Sequence, residues 1–160
     1  MAKHTLQNSD DDLDFALVGI TASCDQYEMI AFVDETLNTK FFLSDYIPFG
    51  LKDGKLFKFS LYRYLDEELG LEYYFIPNTS NFDEPAEAFQ GNMLFDGLNV
   101  ETSVRLVKEL PKTDYFLILK GEDLLHYQFR IVELLKKCPA VISVTGLDPM
   151  DLPSRRNLIF

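Results

Sequence analysis

Two carboxylates, Glu109 and Asp114, flank Pro111 in the segment Val107-Lys108-Glu109-Leu110-Pro111-Lys112-Thr113-Asp114-Tyr115. Such a pair can divide acid and base roles when an apolar pocket raises the pKa of one member. The same residues also read structurally: Asp114 opens a strand and accepts amide protons from a loop, while Tyr115 buries its ring with the hydroxyl at the rim. The structural reading ranks first, partner binding second and catalysis last. A thiol is the other candidate. Cys24 follows an apolar strand and precedes a helix start, where the helix dipole can lower a thiol pKa. His126 would be its conceivable base if both helix N-termini met at one sheet edge. No nucleophile signature surrounds Cys24, and His126 shares a helix face with Glu122 and Arg130, so a plain thiol and a surface histidine are expected.

The remaining chemistry-bearing residues take bland readings. Cys24 and Cys138 lack metal-type spacing and read as free thiols of a reducing compartment. Asp10-Asp11-Asp12 reads as a solvated tail, because adjacent carboxylates do not converge on one cation. The glycines are isolated, so no phosphate loop is present. Tyr62, Tyr64, Tyr73 and Tyr74 could stack RNA bases. However, Lys58 and Arg63 are outnumbered by Asp66, Glu67, Glu68 and Glu72, so cross-strand packing or a protein contact is expected. No residue is assigned as catalytic, cofactor-binding or metal-binding.

The elements that must position these groups follow from length and pattern. The chain has 160 residues, 47% of them apolar, and a formal charge of −11. One domain over residues 13–160, after a disordered acidic tail at 1–12, fits that size. The net charge disfavours nucleic acid. It is uneven: residues 1–80 carry 14 acidic and 6 basic side chains, whereas residues 81–160 carry 12 and 9. From Arg130 onward the end is a mildly basic pole, suited to a carboxylate-rich partner. The first residues have no apolar signal core and no apolar run reaches about 18 residues, so a cytoplasmic location away from membranes is expected.

Residues 13–22 form a nearly continuous apolar stretch, as in a strand buried on both faces. Asp25 and Glu28 predict a capping box opening a helix over 25–38, ended by Asn38. Residues 39–54 read as an aromatic loop broken by Pro48 and Gly50. Alternation over 55–65 and the apolar run 71–76 predict a hairpin with Phe57, Phe59 and Leu61 inward and the tyrosines outward. Residues 78–104 read as a long excursion without regular structure. A buried strand over 113–120, a helix from 121 to 137 with Glu122 and Asp123 in its first turn and Lys136-Lys137 in its last, and a strand over 140–147 complete the order. This β-α-β-β, loop, β-α-β order predicts an α+β, ferredoxin-like sandwich: a mainly antiparallel sheet of about five strands with two helices on one face.

The chain resembles the IPExxxVDY family of small bacterial proteins. Glu109, Asp114 and Tyr115 match the naming motif, while Val107, Lys108 and Thr113 stand where the pattern has Ile, Pro and Val. The segments Asp14 to Ile20, Phe116 to Gly121 and Leu152 to Phe160, ending Asn157-Leu158-Ile159-Phe160, carry the likeness further. The resemblance implies a single-domain cytoplasmic bacterial protein and supplies no activity, cofactor or catalytic residue. Function is expected to be non-catalytic: an accessory domain that docks a protein partner or a second copy as a homodimer. Its support is surplus aromatic surface on the hairpin, at 41–49, at 82–95 and at the C-terminus. Leu158 and Phe160 should dock on the chain's own sheet or on a second subunit, with Arg155 and Arg156 paired to Asp114 or Glu109. The alternative is a small hydrolase or ligand-binding enzyme with its site in the 78–110 loop.

Overall fold

A computed structural model describes residues 14–52, 54–81 and 103–160. The acidic tail and the Phe-rich stretch at 82–95 lie outside the described residues. Strand β1 (Ala16–Ala22) leads to helix α1 (Gln26–Leu37), then β2 (Phe42–Gly50), β3 (Leu56–Asp66), β4 (Leu71–Pro77) and the short β5 (Thr79–Asn81). After the gap come β6 (Ser103–Arg105), β7 (Tyr115–Lys120), helix α2 (Leu124–Leu135) and β8 (Val141–Leu147), with 3-10 turns over Pro149–Asp151 and Arg155–Leu158. The main sheet has six strands in the order β2-β3-β4-β7-β1-β8, every neighbouring pair antiparallel. β5 and β6 form a separate two-stranded ladder.

The class is therefore α+β, but with a sixth strand in place of the expected aromatic loop. Residues 42–50 were obscured because β2 is largely exposed on both faces and shows no alternation. Its Pro48 is compatible with a strand because β2 is at the sheet edge, where a missing donor is tolerated. The 78–104 excursion is likewise bracketed by strand at each end.

Local signals set the helices. Asp25 accepts from the amides of Tyr27 and Glu28, Glu28 returns a bond to the Asp25 amide, and Asn38 closes α1 in the left-handed region at φ 55°. α2 is shorter than expected. Asp123 is its N-cap in a left-handed conformation without a side-chain cap, so Glu122 and Asp123 precede the helix, and Lys136-Lys137 follow it. Gly121 sits at φ 144°, and a Cβ there would come within 2.6 Å of Leu71 Cδ2 and 2.9 Å of the Gly70 carbonyl, so only glycine fits this turn.

Alternation along the strands builds two cores. On one face Ala16, Val18, Ile20, Tyr62, Tyr73, Phe75, Leu117 and Leu119 meet Met29, Ile30 and Val33 of α1 and Ile131 and Leu135 of α2. The expected outward tyrosine row is thus partly inverted: Tyr62 and Tyr73 are buried beneath the helices, and the Tyr62 hydroxyl accepts from Gln26 Nε2 at 3.0 Å. The opposite face, with Leu17, Phe59, Leu61, Ile76, Phe116 and Ile118, is packed by neither α1 nor α2. It is closed by Leu106, Val107, Leu152 and Leu158 from the chain's own segments. Much of the apolar surplus expected to seek a partner is therefore consumed within the chain.

Candidate functional site

The segment carrying Glu109, Asp114 and Tyr115 is organised by a residue that the sequence did not single out. Asn78, fully buried, donates its carboxamide to the carbonyls of Val107, Leu110 and Thr113 at 3.3, 3.1 and 2.9 Å. Its Oδ1 accepts the Val107 amide at 2.8 Å, its carbonyl accepts the Leu106 amide, and its own amide donates to the Asp114 carbonyl. A carboxamide presents donors and an acceptor from one planar group, so a single side chain satisfies a loop whose backbone has no ladder partner. Sequence offered only a faint clue: an asparagine directly after a strand-ending proline.

Asp114 and Tyr115 fasten the exit of β1. The Asp114 carboxylate accepts the Ala22 amide at 2.9 Å, and the Tyr115 hydroxyl donates to the Cys24 carbonyl at 2.9 Å. The Tyr115 ring stacks on Phe75 at 5.2 Å, and burial pushes its hydroxyl pKa up to about 12, with the nearby Cys24 and Asp114 adding to the shift. Glu109 points the other way, to the C-terminus: its two oxygens accept from the Ser154 amide at 2.7 Å and the Ser154 hydroxyl at 2.8 Å. The two carboxylates thus fasten different segments.

The C-terminus docks on the chain's own sheet face opposite α1 and α2. Asn157 donates to the Leu106 carbonyl at 2.7 Å, Leu158 is fully buried, and the Phe160 ring lies 6.1 Å from that of Tyr74. The expected pairing of Arg155 and Arg156 with Asp114 or Glu109 does not form, because those carboxylates hold Ala22 and Ser154. Arg155 instead donates to the Leu152 carbonyl at 3.1 Å.

Burial alone would raise the Glu109 pKa, but the bonds from Ser154 outweigh it and hold the carboxyl below its usual range. A folded-state pKa below the unfolded one stabilises fully above the unfolded value, about 4.3, and the contribution is lost as pH falls through the folded value. The melting-temperature gap between the wild type and Glu109→Gln should therefore be constant near neutral pH and should close below about pH 4. Thermal melts across pH read this directly.

Cys24 and His126 are not brought together. α1 starts at the C-terminal end of β1. α2 follows β7, which runs antiparallel to β1, and Gln128 of α2 donates to the Leu17 carbonyl near the beginning of β1. The two helix starts therefore lie at opposite ends of a seven-residue strand, about 20 Å apart. Nor is the thiol activated: burial raises the Cys24 pKa, and Glu28 and Asp25 raise it further. Both cysteines are free. Denaturing, non-reducing titration should count two thiols per chain, and in the native protein Cys24 should alkylate more slowly than a model thiol at pH 8.

Several concavities remain, two of which gather charged and aromatic groups. A cleft of about 610 Å³ lies where α1 ends against α2 and the β3–β4 turn, lined by Tyr64, Asp66, Tyr73, Tyr127 and Arg130 among others. A hollow of about 700 Å³ beside β6 carries Lys52, Arg105 and Lys108. Among the described residues, no group of three His, Cys, Asp or Glu side chains could hold a metal ion, and no helix is long and apolar enough to cross a membrane.

An exposed apolar surface lies at the β8 edge. On α2, Gln128 donates to the Leu147 carbonyl of β8, and Gly146 faces the Gln128 side chain. At 3.6 residues per turn, Leu125, Phe129 and Val132 lie on the flank of α2 just beyond Gln128. Leu125 is 80% exposed and Phe129 69%. Ile142, at the register shift of β8, is 68% exposed. The three form an apolar margin along one edge of the molecule. No protein-family model, curated protein or solved structure matches the chain.

Proposed function

We propose that this chain is a non-catalytic interaction domain that docks a protein through the α2–β8 edge. The observation that carries the reading is the exposure of Leu125, Phe129 and Ile142 beside a strand edge that is unpaired among the described residues, while the central strands are covered by the chain's own helices and tail. Aromatic and aliphatic side chains left out in this way characterise interface cores. The family resemblance to IPExxxVDY proteins and a cytoplasmic setting belong to the same proposal. So does the ferredoxin-like affiliation, supported by the strand order β8-β1-β7-β4 with helices inserted after β1 and β7. β2 and β3 would then be an extension of that sheet.

The test is to immobilise the wild type and a Leu125→Glu/Phe129→Glu variant as baits for native lysate and for the purified chain. Both positions are exposed, so the fold should persist by circular dichroism. Loss of the retained proteins with the variant supports the reading, and an unchanged set overturns it. A second reading, a ligand-binding enzyme beside the 78–110 segment, draws on the cationic hollow of Lys52, Arg105 and Lys108. Titration with inorganic phosphate, compared with Arg105→Ala, decides it.

A further inference from the structure

The two edges of the sheet are built differently. β2 carries Asp45, Pro48 and a register irregularity between Leu43 and Asp45, the devices by which proteins keep an edge strand from pairing with another chain. β8, Val-Ile-Ser-Val-Thr-Gly-Leu, has no charge and no proline. Its ladder to β1 is regular from Leu17↔Leu147 to Thr21↔Ser143, and a register shift between Thr21 and Ala22 then passes over Ile142 at the start of the strand. Among the described residues its other side is unpaired. An uncharged edge that is regular over its last five residues, Ser143 to Leu147, is a template for strand addition.

We propose that the occupant of this edge is a second copy of the chain, with β8 pairing antiparallel to its counterpart about a two-fold axis and joining the two sheets into one of twelve strands. This rests on the docking surface just assigned and goes beyond it by naming the partner and the geometry.

Charge placement favours self-pairing. Glu122 lies just before α2, the exposed Leu125 and Phe129 lie on it, and Lys136, which also pairs with Glu133, lies just after it: acidic at one end, apolar in the middle, basic at the other. A two-fold axis makes the two copies of α2 antiparallel, and an axis passing at Phe129 sets Glu122 opposite Lys136 of the partner subunit. Phe129 then faces its own copy, at the centre where interface energy concentrates. The same axis passes through the C-terminal half of β8, because Gln128 is already in contact with Gly146 and Leu147.

The overall charge of −11 opposes association, but it is located elsewhere. Residues 122–147 hold three acidic (Glu122, Asp123, Glu133) and three basic (Arg130, Lys136, Lys137) side chains, a neutral face on an acidic chain. Isologous pairing along this face therefore sets two neutral surfaces together and avoids the like-charge cost of the chain's acidic surface.

Light scattering coupled to size exclusion, on the full chain at about 100 μM, tests this. The expected mass is twice 18.5 kDa, with Ile142→Lys or Phe129→Glu each raising the dissociation constant at least tenfold. Lys136→Glu should weaken the dimer, and adding Glu122→Lys to it should restore the wild-type constant. Circular dichroism and melting temperature of each variant separate lost pairing from lost folding. A mass of 18.5 kDa for the wild type at every concentration overturns the proposal. So does a dimer indifferent to Ile142→Lys and Phe129→Glu, and so does failure of the charge exchange to rescue. If the chain is monomeric but the Leu125→Glu/Phe129→Glu bait still loses its proteins, the docking surface stands and only its occupant was misassigned.

Discussion

Replacing Asn78 with alanine is expected to lower the melting temperature by about 10 °C, more than any other single polar substitution in the chain. The side chain is fully buried and satisfies the Val107 amide and the carbonyls of Val107, Leu110 and Thr113. Its removal orphans the buried Val107 groups and the partly buried carbonyls of Leu110 and Thr113, at roughly 1–3 kcal/mol for each one left unpaired. A total of about 3–5 kcal/mol corresponds to about 10 °C or more for a domain of this size. Asn78→Asp should be worse than alanine, because it places a carboxylate against three carbonyl oxygens that need donors. Differential scanning calorimetry of the two variants checks both the size and the order. A loss below about 1 kcal/mol would show that the loop holds itself.

The second large effect is at the C-terminus. Deleting residues 157–160 removes the Asn157 bond to Leu106, the buried Leu158 and the Phe160 contact with Tyr74. Leu158 alone is worth about 1.5–3 kcal/mol, and Phe160, which keeps some exposure, less than a full aromatic burial. The truncated chain should melt about 6–12 °C lower, with its helices and sheet retained. Because the tail docks on its own chain, the truncation should leave the mass in solution unchanged. A melting temperature equal to that of the full chain would mean that Leu17, Ile76 and Phe116 are covered by something else.

Where the sequence was legible, a single local rule sufficed. The Asp25–Glu28 box and Asn38 mark α1 because capping is decided within a few residues. The run at 115–120 reads as a buried strand because both of its faces are apolar. The docking of Leu158 and Phe160 was legible from composition alone, since an apolar terminus needs cover. Illegible features were those set by tertiary partners. β2 exists because β3 offers it a ladder, which outweighs the breaker signals of Pro48 and Gly50. Tyr62 and Tyr73 alternate as expected, but which face the helices cover is fixed by the crossover of the whole chain. Asn78 acts on residues about 30 positions away, a distance no local pattern reaches. The candidate interaction residues divide for the same reason: Glu109, Asn157, Leu158 and Phe160 close one face, while Asp114 and Tyr115 fasten the turn into α1. The α2–β8 margin appears only once the helix and the strand are placed side by side.

The most direct measurement of the central claim is amide hydrogen exchange along the two sheet edges as a function of protein concentration. At high concentration the β8 amides that do not bond to β1 should be protected. They should lose that protection on dilution or in Ile142→Lys, while the outward amides of β2 exchange fast throughout. If the outward amides of β8 exchange as fast as those of β2 at every concentration, the edge is bare in solution and the pairing of two copies through it is contradicted.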